Sequence, residues 1–265
     1  MKDMNNRTRI RQSASAMLPL KLEKHVEFVG DIQWMPLLSE DEANRKWLMR
    51  NCTLCEHEFS DEDLDDGPKC PSCNAMERTR TMPILMHYLQ KMNQNWFEGE
   101  YLAFALTNLE EKIIRPHYGE LCSVSLYGSY RANHQLGMDI RDLSRFEDRR
   151  FCATFSCLIF DYLTEHDKAL RELNRVIKNE GVFITHIANY RLSDNDDEPV
   201  ETGRISAGPD SFTYLGDDTI PSINVGKEWF FRALDRAGFT PGLIAIRDPP
   251  TEEHFLWFVG IKRAQ

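Results

Sequence analysis

Four of the seven cysteines stand in a pattern that can do chemistry: Cys52-Thr-Leu-Cys55 and, after fourteen residues, Cys70-Pro-Ser-Cys73. Each C-x-x-C turn aims two sulfurs at one point, and two such turns complete a tetrahedral thiolate shell around Zn²⁺. A redox C-x-x-C would stand alone beside a βαβ unit. Four sulfurs leave no open coordination position, so the expected ion is one structural zinc per chain. Gly67 and Pro68 suit the tight turn before the second knuckle. His57 lies nearby, but the shell is already closed without it. Cys122, Cys152 and Cys157 fall on apolar runs, where inert buried thiols are the expectation.

The acidic residues of the intervening loop bear on what this module could meet. Glu56, Glu58, Asp61, Glu62, Asp63, Asp65 and Asp66 face a single Lys69. A ribbon built to grip a phosphate backbone would carry the opposite sign. The whole chain has 32 basic and 42 acidic residues, net −10, unevenly distributed. Residues 1–24 hold a net charge of +4, leaving −14 for the rest. The acidic body weighs against nucleic acid as partner, while the basic arm reads as a solvated tail and keeps an RNA acceptor open as an alternative. No apolar stretch is long enough to span a membrane, and the N-terminus lacks the apolar core of an export signal. Unpaired cysteines in that setting point to a reducing, cytoplasmic location.

The elements that must position any site alternate. Met82, Leu85, Met86 and Leu89 recur at helical spacing after Glu77, with Pro83 near the helix start or kinking it. Tyr101–Leu106 is a short apolar run, as expected of a strand buried on both faces. Thr107-Asn-Leu-Glu110 reads as a capping box opening a helix. Further strands are expected at Cys122–Tyr127, Gly137–Ile140, Phe151–Phe160 and Val182–Ile187. A helix capped by Thr164 and stopped by Gly181 precedes the last of these. Residues 189–225 read as an irregular insertion, a lid or binding loop. A helix over Gly226–Ala237 and two closing strands around Asp248-Pro-Pro finish the chain. Strands alternating with helices predict an open, mostly parallel α/β sheet ending in an antiparallel hairpin. The expected division is an arm over 1–48, a zinc ribbon over 49–80 and an α/β domain over 81–265.

Several of these stretches resemble class I S-adenosylmethionine-dependent methyltransferases. Met138-Asp139-Ile140-Arg-Asp142-Leu143 followed by Phe146 and Phe151 resembles the family's approach to its fourth strand. Lys168-Ala-Leu-Arg-Glu-Leu-Asn-Arg-Val-Ile-Lys-Asn-Glu-Gly181 is similar to its helix before the fifth, and Trp229–Phe239 to its last helix. Cys70-Pro-Ser-Cys73-Asn-Ala-Met-Glu77-Arg78-Thr-Arg80 resembles a subgroup with an N-terminal zinc ribbon. The resemblance covers residues 50–262 and implies a Rossmann-like methyltransferase fold: a mostly parallel seven-stranded sheet with a C-terminal antiparallel hairpin, plus the small ribbon.

It also implies S-adenosylmethionine as cofactor and a small-molecule acceptor, a sugar or another biosynthetic intermediate, while the acidic ribbon leaves a protein partner as a further option. The positions it assigns to the cofactor are Ala105, Thr107, Tyr127, Asp139, Ile140 and Cys157; Tyr127 reads equally as an adenine-stacking or a packing residue. Its usual first turn is glycine-rich, whereas this chain has Phe104-Ala105-Leu106-Thr107-Asn108. Its second strand usually ends in a carboxylate, whereas this one reads Leu126-Tyr127-Gly128-Ser129. These departures support a second reading, a methyltransferase-like scaffold that has lost its cofactor. In-line methyl transfer rests on positioning, with a base where the acceptor carries a proton. His186, Tyr190 and Asp161 are the candidates, expected at the strand edge where open α/β sheets bind ligands.

Overall fold

The computed structural model describes residues 26–29, 50–65, 69–126, 135–188, 191–193, 198–206 and 219–264. Tyr127, Tyr190, Gly67 and Pro68 lie outside them.

The strands are β1 (Val26–Val29), β2 (Glu100–Phe104), β3 (Glu120–Ser125), β4 (Gln135–Leu136), β5 (Phe151–Cys157), β6 (Ile177–His186), β7 (Leu192–Ser193), β8 (Val200–Ser206), β9 (Thr219–Gly226), β10 (Phe239–Arg247) and β11 (His254–Lys262). The helices are α1 (Asp61–Asp65), α2 (Glu77–Met92), α3 (Asn108–Ile114), α4 (His166–Val176) and α5 (Lys227–Arg236). The main sheet runs β4-β3-β2-β5-β6-β11-β10-β1. Strands β4 to β6 in that order are parallel, and β11, β10 and β1 each pair antiparallel to their neighbour. This is the expected α/β architecture with one strand more than the seven anticipated. Val26–Val29, within the segment read as an arm, pair with Leu243–Ile246 along an edge that would otherwise be open.

Period-two alternation divides the core. Tyr101 and Ala103 of β2 join Met82, Leu85, Met86 and Leu89 of α2 on one face, with Ile184, Ile246 and Trp257. Leu102 and Phe104 turn to the other face, where Leu170 and Leu173 of α4 and Phe230 of α5 pack on Phe183 and Phe258. Pro83 lies inside α2, whose buried face spans both sides of it.

Four local expectations are corrected. The third parallel strand is Gln135–Leu136, so Gly137–Ile140 is the turn leaving it rather than the strand itself. Helix α4 stops at Val176, not at Gly181: Ile177 already pairs with Phe151, and the Lys262 ammonium donates to the carbonyls of Asn174 (2.6 Å) and Ile177 (2.8 Å). Gly181 is needed for close approach instead, since a Cβ there would sit 2.7 Å from the Cys152 carbonyl oxygen. Thr164 does not cap α4; the N-cap is Glu165, with no side-chain capping bond. The 189–225 insertion is partly regular: β8 and β9 form an antiparallel pair, with β7 alongside β9.

Candidate functional site: a thiolate cluster and a crevice at the strand ends

The four sulfurs of Cys52, Cys55, Cys70 and Cys73 lie within 4.8 Å of one another, with Cys52–Cys73 at 3.6 Å and Cys55–Cys70 at 3.5 Å. Four thiolates at about 2.3 Å from one Zn²⁺ stand at such separations, so the donor set fits the ion in number, type and spacing. The two knuckles repeat one backbone plan. Glu56 N–H donates to the Cys52 carbonyl (2.9 Å) and Asn74 N–H to that of Cys70 (2.8 Å). Glu56 and Asn74, each just past its second cysteine, take φ of 63° and 62°. His57 is no ligand; it pairs with Asp63 at 3.3 Å. Among the described residues all seven cysteines are free of disulfides.

The second site is a cavity of about 630 Å³ at the carboxyl ends of β2, β3, β4 and β5. Strand β2 connects outward to β3 on one side and is flanked by β5 on the other, so the cavity lies where the chain direction of the sheet reverses. Its size is that of a pocket for a small ligand. Phe104, Ala105, Ser125, Met138, Asp139, Ile140, Cys157 and Leu158 form the sheet side, and Arg204 and Thr219–Pro221 of the β8–β9 pair lie across it.

Backbone shape makes the floor. Ala105 carries φ of 51°, its N–H bonded to the Val124 carbonyl at 2.8 Å. A left-handed turn there is what glycine ordinarily supplies, and alanine, the smallest residue with a Cβ, tolerates it at modest cost. Ala105 is also solvent-exposed, so its backbone is open to a ligand. Just behind it Thr107 forms the expected capping box: its hydroxyl accepts from Glu110 N–H (3.2 Å) and the Glu110 carboxylate accepts from Thr107 N–H (2.6 Å). Thr107 therefore caps the helix and is not among the residues that line the cavity.

Asp139 is half-buried on the cavity wall, and Arg141 holds it from Nε (3.0 Å) and Nη2 (2.6 Å), with Arg141 N–H adding 2.8 Å. These bonds outweigh the cost of burial and keep the carboxyl below its usual range. Arg141 reaches Glu165 as well, at 3.1 Å. Ile140 and Cys157 line the cavity, and burial pushes the Cys157 thiol well up, which keeps it un-ionised and inert.

His186 and Asp161, two of the three expected acid–base residues, are absent from the lining of the crevice, and Tyr190 lies outside the described residues. His186 is 2% exposed, and its ring packs against Phe255 and Trp257, away from the crevice. Its Nδ1–H donates to the Leu256 carbonyl at 2.8 Å, and burial lowers its pKa to about 4. Strand alternation explains the error: an even step from Ile184 turns His186 to the α2 face. Asp161 is fully buried behind the 3₁₀ turn Phe160–Tyr162 and lines no part of the cavity. Its Oδ1 accepts from Ala188 N–H (2.8 Å), its Oδ2 has no partner among the described residues, and burial pushes its pKa up to about 6. Arg191 donates to the Asp161 carbonyl (3.1 Å) and lies over the Tyr162 ring at 4.5 Å. Asp161 thus fastens the root of the insertion. His166, in the first turn of α4, is 2% exposed between Phe160 and Trp229.

Sequence reasoning missed Arg141, Leu158 and Arg204. Arg141 was legible, two residues past an aspartate in a turn. Leu158, with φ of 59°, and Arg204, carried in by a hairpin of unrecognised register, left no signal.

Residues 124–185 match the family model described as a methyltransferase domain. Among solved structures, an S-adenosylmethionine-dependent methyltransferase from Clostridium acetobutylicum aligns at 15% identity and TM-score 0.50, over 72% of this chain and 94% of that one. DesVI of Streptomyces venezuelae aligns at 13% identity and TM-score 0.47, over 78% of this chain and the whole of the other. The Burkholderia thailandensis 1,6-didemethyltoxoflavin-N1-methyltransferase, solved with bound 1,6-didemethyltoxoflavin and S-adenosylhomocysteine, aligns at 11% identity and TM-score 0.45, over 70% and 78%. No curated protein sequence matches the chain. The resemblance to class I S-adenosylmethionine-dependent methyltransferases read from the sequence holds for the fold and for the matched segment.

Proposed function

We propose that the chain is an S-adenosylmethionine-dependent methyltransferase acting on a small, largely apolar acceptor, with the four-thiolate zinc as a structural staple. One observation carries the reading: the cavity at the strand ends is open, and its floor keeps the left-handed turn at Ala105 although the glycine is gone. Of the residues that replaced the usual ones, Ala105 and Leu126 line it without filling it.

The cofactor, when bound, supplies a methyl group on a positively charged sulfur. Ala105 backbone would lie along its amino-acid end, and Ile140 and Leu126 would flank the adenine. Asp139 would face the adenine amino group, which means sharing a carboxylate already held by Arg141. No carboxylate stands at Leu126, so the ribose hydroxyls lack the charged acceptor worth about 1.5–3 kcal/mol. Binding should therefore be weak for such a fold.

Met138, Ile159, Leu163, Ile220 and Pro221 make the remaining wall apolar, which favours an apolar acceptor body. Among the described lining residues no histidine and no unpaired carboxylate is present. Methyl transfer then rests on alignment, and the acceptor atom must be nucleophilic without a strong base. The acidic body argues against an RNA acceptor.

Calorimetry with S-adenosylmethionine and S-adenosylhomocysteine tests this. Binding in the micromolar range, abolished by Asp139→Ala, is the expected result. No heat from zinc-loaded, folded protein at high micromolar ligand would leave the scaffold reading in its place.

A further inference from the structure

The thiolate module and the crevice are joined through three neighbouring contacts. Leu109, in the first turn of α3, packs against the cluster of Cys52, Phe59, Cys70 and Ala75. Glu110, beside it, is 2% exposed; one of its oxygens closes the capping box behind the Ala105 turn, and the other lies 3.8 Å from Arg78 Nε. Arg78, five residues past Cys73, also stands near Cys157, which lines the cavity, and its charge opposes the effect of burial on that thiol.

The backbone just past Arg78 is anchored. Two residues on, Arg80 is fully buried, bonded through Nε and Nη2 to both oxygens of Asp248 (2.9 and 2.7 Å) and through Nη1 to the Ala75 carbonyl (2.9 Å). The start of α2 is thereby pinned between the second knuckle and the β10–β11 turn. From that base the Arg78 side chain reaches the α3 cap behind the Ala105 turn and the end of β5.

From this arrangement we infer that the zinc module is a buttress for the cofactor turn, and that Arg78 and Leu109 are the positioning residues through which it acts. The inference rests on the cofactor reading above for its ligand, though not for its geometry. A left-handed alanine persists only where its surroundings hold it. Here the support comes from α3, clamped from behind by Leu109 and Arg78. Without the clamp the turn relaxes, and a ligand must re-form it at the cost of affinity.

The test uses full-length zinc-loaded protein carrying Arg78→Met, Arg78→Lys or Leu109→Ala. Amide exchange of the ligand-free protein reads the buttress directly. Exchange at Leu106–Glu110 should rise about tenfold in Arg78→Met and Leu109→Ala, a coupling of ordinary size, with that of α5 unchanged. S-adenosylhomocysteine affinity should fall by a similar factor while zinc stays at one per chain. Arg78→Lys, which keeps the charge beside Glu110, should recover part of both. Unchanged exchange at Leu106–Glu110 in both truncations overturns the inference, as does a rise shared equally by α5. Wild-type protein that binds no S-adenosylhomocysteine defeats the cofactor reading instead, and the exchange result still decides the buttress.

Discussion

The thiolate cluster and the crevice stand next to each other and are specified in opposite ways. The cluster depends on residue identity: four sulfurs at two short spacings, with most of the surrounding loop free to vary. The crevice depends on backbone shape: a left-handed turn after β2, another at Leu158 after β5, and strand ends arranged so that the crossover reverses between them. Identity can be lost by one substitution. Shape survives the exchange of glycine for alanine, which is why a chain lacking the usual signature still presents a cavity of about 630 Å³.

The largest effect is expected on the identity side. Cys70→Ser removes a fully buried thiolate from a closed shell, and metal content should fall from one zinc per chain to none by mass spectrometry of the native protein. Retained zinc in that variant would contradict the four-thiolate assignment. A strong chelator should act likewise and lower the melting temperature, because folding free energy of the module is largely binding free energy.

Next comes the joint between the two regions. Arg80 and Asp248 are both 0% exposed, and the guanidinium also lies 4.9 Å over the Phe59 ring of the ribbon core. Removing one partner strands a buried charge, so Arg80→Met should cost about 3–5 kcal/mol in urea unfolding. Replacing both, with Arg80→Met and Asp248→Leu, should recover much of that loss. A double variant as unstable as the single one would show that the pair is more than mutual charge compensation.

Much of the fold was legible because its signals are local. The capping box at Thr107–Glu110, the apolar strands and the cysteine spacing each occupy a few adjacent residues. What was not legible depended on partners far along the chain. Gly181 looked like a helix stop; its true constraint is the Cys152 carbonyl across the sheet. His186 and Asp161 sit at the right edge of the sheet, yet the alternation of β6 and the packing of the Phe160–Tyr162 turn put their side chains out of the crevice. Chain position narrows a site to an edge, and only packing decides which side chains enter it.

These buried groups give a pH test of intermediate size. His166 and His186 have pKa values lowered to about 4 by burial, against about 6.5 unfolded. Their contribution is complete above about pH 6.5 and is lost as pH falls toward 4, on the order of 3 kcal/mol each. Asp161, pushed up to about 6, works the other way: its contribution is present at low pH and is lost as pH rises through 6. Two histidines against one aspartate leave a net loss on acidification. Unfolding free energies between pH 7.5 and 4.5 should therefore fall, less steeply in His186→Gln and more steeply in Asp161→Asn. Parallel slopes in all three proteins would mean that these groups titrate alike folded and unfolded.

The smallest effect falls on shape itself. At φ of 51° alanine pays a steric cost of about 1–2 kcal/mol that glycine avoids. Glycine in turn loses more chain entropy on folding, about 0.5–1 kcal/mol. The difference makes Ala105→Gly stabilising by roughly 0.5–1 kcal/mol, with the cavity intact. A β-branched residue crowds the same conformation further, so Ala105→Val should be less stable than wild type. The order glycine, alanine, valine is therefore diagnostic, since it reverses the order expected if position 105 occupied an ordinary extended turn. Chemical denaturation of the three ligand-free proteins reads it without any assumption about what the crevice binds. If valine proves as stable as alanine, the floor of the crevice is not the left-handed turn on which the comparison with the thiolate cluster depends.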